Sequence, residues 1–189
     1  MENKYKSAIK AGAIGAIVLI LISLCMTLVS DLVGGKAFQE EMQNWAQQYS
    51  NPQSAPTGPP QIPESLMGNF LLIAIGQLIL LALLFAAYVG VGVLAARFSA
   101  AQLKGAGDAA LVGALAGAVA EVVHRIFTSV INFIVGLVLP LGTTSTISDR
   151  LSSFIGEYIC CLPVMLVIGI ILAVIGAVAY FMIRGPKAP

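Results

Sequence analysis

Glu121, His124 and Arg125 stand within one short stretch of an otherwise apolar run, 109–139. An ionisable side chain left unpaired in hydrocarbon costs at least about 2.5 kcal/mol, so such residues are functional candidates by default. Taking 100° per residue from Glu121, Arg125 falls at about +40°, Thr128 at about −20°, Asn132 at about +20° and His124 at about −60°. Ala114 and Gly117 continue the same stripe toward the start of the run. Polar at one end and small at the other, the stripe must face protein or water rather than lipid.

Three kinds of chemistry fit these residues. Glu121 precedes Arg125 by four positions, the order and spacing at which an acid and a base on one helix neutralise each other; this structural reading is favoured. A second reading is a proton or ion path lined by Glu121, His124, Arg125 and Asn132, with His124 changing charge near neutral pH. It is weakened by the absence of a second buried carboxylate or histidine to pass a proton along. The third, least favoured, makes His124 an axial ligand to a haem or pigment, although one histidine per chain makes no bis-histidine site. No metal and no cofactor are expected. The stripe's expected partners are Ser23, Thr27 and Ser30 of the first apolar run and Gln77 of the second.

Small residues form the other strong pattern. Gly113 and Gly117 make a GxxxG, Gly12 and Ala16 share that spacing, and Gly169, Ala173 and Gly176 extend it to the last run. Such spacings let helix backbones approach closely, the main source of helix association in lipid. The sets on the first and third runs are expected to be used inside the chain. The last is expected to meet an external partner.

The elements that position these residues follow from composition. Hydrophobic residues make up 58% of the 189 positions and charged residues 10%, less than half the usual ~25%. A soluble enzyme or nucleic-acid binder would need a charged coat that this chain lacks, so both are excluded. Four apolar runs, at about 11–33, 67–96, 109–139 and 159–183, each reach the roughly 20 residues a membrane-spanning helix needs. Stretches such as Leu78 to Phe85 are apolar on every face, which excludes barrel strands. The expectation is an all-α, polytopic four-helix bundle forming a single membrane domain over 1–189.

Seven of the ten Lys and Arg residues (Lys4, Lys6, Lys10, Arg97, Lys104, Arg184 and Lys187) fall on one side of these spans. The positive-inside rule therefore makes both termini cytoplasmic. The amino terminus has the order of a secretory signal, but Gly35 to Ala37 lies too far along for cleavage, so a signal anchor is expected. Loop 34–66 is then extracytoplasmic. Within it, 37–50 places Phe38, Met42, Trp45 and Tyr49 along one edge of an amphipathic helix, with Trp45 and Tyr49 at headgroup level. Its five prolines make 51–63 an extended linker. Loop 142–156 reads as hydroxyl-rich, with Asp149 and Arg150 in a solvated turn. Cys25, Cys160 and Cys161 read as small packing residues, and Pro163 as a kink in the last span.

No nucleophile with a neighbouring base, phosphate-binding loop or metal cluster is visible, so no enzyme is expected. The leading expectation is a non-catalytic plasma-membrane protein, an accessory or scaffolding subunit packing against other membrane subunits or itself. The alternative is a small oligomeric channel or transporter for protons, ions or a small solute along the polar stripe.

Overall fold

The computed structural model describes residues 3–33, 64–138 and 147–184, together with Glu40, Gln43, Asn44 and Gln47. Four long helices account for nearly all of them: α1 (Asn3–Val33), α2 (Glu64–Phe98), α3 (Ala106–Val138) and α4 (Ile147–Arg184). Each contains a segment long and apolar enough to cross a membrane, namely Asn3–Val29, Phe70–Phe98, Ala106–Ile131 and Leu162–Arg184. At about 1.5 Å per residue, even the shortest exceeds the roughly 30 Å of a hydrocarbon core.

Helix α4 departs from the sequence reading at its start. It begins at Ile147, so Asp149 and Arg150 have helical backbone rather than forming a turn. Ile147, Leu151, Phe154 and Tyr158 recur at four, three and four, a helical period hidden beneath the serines and threonines. Thr146 followed by Asp149 is a capping-box signature immediately ahead of them. The helix runs unbroken past Pro163. The amphipathic helix over 37–50 and the linker 51–63 lie outside the described residues, apart from the four helical positions already named, and so do Trp45 and Tyr49.

The chain forms two compact units, one of residues 1–21 and 83–189, the other of residues 22–82. In the smaller unit, a Cβ added to Gly76 would stand 3.4 Å from Cγ1 of Val29, and Thr27 Oγ1 donates to the carbonyl of Ser23 at 3.2 Å. Cys25, expected to be packed, is exposed.

The larger unit has a core of unusually small side chains. Ala8, Ala11, Ala16, Ala95, Ala109 and Ala116 are all fully buried, while Ile17, Leu78 and Ile183 of the chain are 60%, 65% and 84% exposed. This inverts the pattern of a soluble protein, in which large apolar side chains fill the interior. It suits helices whose backbones touch while their bulky residues face lipid. A Cβ on Gly12 would stand 2.7 Å from the carbonyl oxygen of Ala116, and one on Gly15 would overlap Val91, so α1 lies against both α3 and α2.

Gly113 and Gly117 of α3 approach Ala177 and Ala173 of α4, where an added Cβ would come within 2.7 and 2.8 Å of theirs. On α2, a Cβ on Gly92 would run into the backbone of Ala173, and one on Gly176 of α4 into that of Val89. The small-residue face of α4 is therefore occupied within the chain, by α2 and α3 together. This corrects the expectation that it meets an outside partner.

One end of the larger unit is pinned by a tight connection. Ser99, fully buried, continues α2 by donating its N–H to Ala95 at 3.1 Å, and its carbonyl accepts from Gln102 at 2.8 Å across a 3-10 turn at Ala100–Gln102. Its Oγ donates to the carbonyl of Lys4 at 3.3 Å. Asp108, in the first turn of α3, accepts from the Lys104 N–H at 3.1 Å and pairs with Lys4 Nζ at 3.2 Å.

Candidate functional site: a buried carboxylate and its three donors

Glu121 lies on α3, one turn beyond Gly117, and is fully buried. Counting about 1.5 Å per residue from Asp108 places it some 20 Å along the helix, deep within a membrane-crossing segment. There a carboxylate cannot be hydrated by bulk water, so its oxygens must be met by protein donors. Arg125, one turn on, donates from Nε to Oε1 at 2.8 Å. Tyr88 of α2 donates its hydroxyl to Oε2. His124 Nδ1 lies 3.4 Å from the same oxygen.

Each donor is itself withdrawn from the surface. Tyr88 is 3% and His124 5% exposed, and the Arg125 side chain 19%. Glu121 and Arg125 bring one negative and one positive charge, which balance each other. Charge-assisted bonds of this kind are roughly twice as strong as neutral ones. Arg125 and His124 secure the carboxylate within α3, whereas Tyr88 ties it to a different helix.

The position of Tyr88 is made possible by α4. A Cβ on Gly169 would stand 2.9 Å from Cε1 of the tyrosine ring, so the glycine supplies the room in which the ring lies. Helices α2, α3 and α4 are thus linked through one contact chain, Gly169 to Tyr88 to Glu121.

The structure brings Glu121, His124 and Arg125 together and adds Tyr88, which the sequence reading missed. A tyrosine about nine residues inside a span, well away from the headgroup level where tyrosines gather, was the available signal, because its hydroxyl needs a partner. Ser23, Thr27 and Gln77, the partners expected of the stripe, belong to the other unit. Thr128 Oγ1 is buried and has no hydrogen-bond partner among the described residues. Asn132 lies on α3, its side chain outside the described set. Among the described residues, no three His, Cys, Asp or Glu side chains gather as they would to hold a metal ion.

Chemically, the cluster can hold a charge in place and join two helices. Tyr88, Glu121 and His124 also form a short series of groups able to exchange a proton. Compared with known proteins, the chain matches no family model, no curated protein sequence and no solved structure.

Proposed function

We propose that this is a non-catalytic protein of the plasma membrane with both termini in the cytoplasm, serving as an accessory or scaffolding subunit that packs against other membrane subunits. The observation that carries the reading is the closure of the Glu121 site. Both carboxylate oxygens are occupied by donors from the same chain, which suits a structural lock. A transport site instead has to exchange its partners with a passing ion.

The inverted distribution of side chains supports the rest. Small residues fill the interior and large aliphatic ones the exterior, so the outer faces are open to lipid or to neighbouring helices.

Reconstitution into sealed vesicles separates this role from the channel alternative. The purified chain is expected to add no proton or cation flux above that of empty vesicles between about pH 5 and 8, the range in which histidine titrates. A flux that disappears in a Glu121→Gln, Arg125→Gln double variant would overturn the proposal in favour of conduction along the stripe.

A further inference from the structure

The outward face of α1 carries a pattern that neither the core nor the Glu121 site uses. Taking 100° per residue from Lys6, Lys10 lies at about +40°, Ile14 at about +80°, Ile17 at about +20° and Leu21 at about +60°. All five are exposed. The opposite side holds Ala8, Ala11, Ala16 and Leu19, all fully buried, and the glycines that meet α3 and α2. Two lysines therefore stand at the head of a lipid-facing aliphatic ridge, on the same helix and in line with it.

Among the described residues, no acid pairs with Lys6 or Lys10, and Asp108 is occupied by Lys4 and the Lys104 N–H. Like charges one turn apart repel, and an anion between them turns that repulsion into attraction. Lys10 lies about 6 Å farther along the helix axis than Lys6, comparable with the thickness of one headgroup layer. Ile14 to Leu21 then continue into the depth at which acyl chains lie.

We infer that this face of α1 is a binding surface for an anionic glycerophospholipid, its phosphate held by Lys6 and Lys10 and an acyl chain lying along Ile14, Ile17 and Leu21. A zwitterionic headgroup brings a competing cation to the same place and binds less well. The Lys4 contacts with Asp108 and Ser99 fix how α1 is turned, and so keep the lysine pair pointing outward.

The inference rests on the membrane reading and not on the accessory role. The test uses the full chain in detergent, titrated with phosphatidylglycerol or phosphatidylcholine of identical acyl chains and followed by native mass spectrometry. The anionic lipid is expected to bind on the order of tenfold more tightly at low salt, a preference set by the two lysines. A Lys6→Gln, Lys10→Gln variant loses that preference, Lys6→Arg, Lys10→Arg retains it, and Arg184→Gln retains it.

The site is overturned if the double glutamine variant keeps the wild-type preference, or if the double arginine variant loses it while circular dichroism shows an unchanged helix content. Glycerol phosphate without acyl chains is expected to compete poorly; competition equal to that of the lipid would show a free-anion site and sink the proposal. Release of the chain from membranes without detergent would instead remove the membrane reading itself.

Discussion

Tyr88 decides whether the buried carboxylate belongs to one helix or to two. Arg125 neutralises Glu121 from within α3, and the Tyr88 hydroxyl reaches it from another helix. The two contacts therefore fail differently. Tyr88→Phe leaves the charge balance intact and removes one bond to a charged group, at a cost of about 1–2 kcal/mol. Arg125→Gln strands a buried carboxylate and costs about 3–5 kcal/mol, whereas Glu121→Gln, Arg125→Gln removes both charges and costs less than the sum of its single changes. Thermal unfolding in detergent of the wild type, Tyr88→Phe, both single glutamine variants and the double variant reads these differences. Strict additivity would show that the pair does not interact. The Glu121 and Arg125 pairing could be read directly from their four-residue spacing. Tyr88 could not, because a lone tyrosine in an apolar helix has no periodic partner that reveals which way it faces.

At the scale of the helices, glycine position matters more than glycine content. Gly90 and Gly92 are two residues apart on α2, yet a Cβ on Gly90 meets nothing within 4 Å, whereas one on Gly92 runs into the backbone of Ala173. Gly90→Ala should be neutral or stabilising by up to about 1 kcal/mol, from improved helix propensity alone. Gly92→Ala should cost about 1–3 kcal/mol, because backbone cannot move aside as a flexible side chain can. Equal melting temperatures for these two variants would contradict the packing of α2 on α4. The spans themselves were legible in the sequence because each is a long apolar run. Which helix each small face meets was not, since a GxxxG announces close approach without naming the neighbour. The face of α4 was for that reason assigned outward, while the structure fills it with α2 and α3. The start of α4 at Ile147 was hidden by Ser and Thr, whose turn preference outweighed an amphipathic period visible in Ile147, Leu151 and Phe154.

For the whole molecule, scarcity of charge has two consequences. Most of the few basic residues fall on one side of the apolar runs, and the buried acid is answered by a base one turn away. If the basic residues govern insertion, reporter fusions at either terminus should be active only in the cytoplasm, and one placed within 51–63 only outside. A cytoplasmic signal from that loop would reverse the topology. The proposed role as a subunit is a separate matter: with the small-residue face of α4 occupied internally, any neighbour would have to be met through the larger aliphatic faces. Extraction from native membranes in a mild detergent, followed by mass measurement of the intact particle, tests this most directly. A stable complex containing this chain together with other membrane subunits is the expected result; a monomer, or a homo-oligomer that conducts ions, would contradict the proposed role.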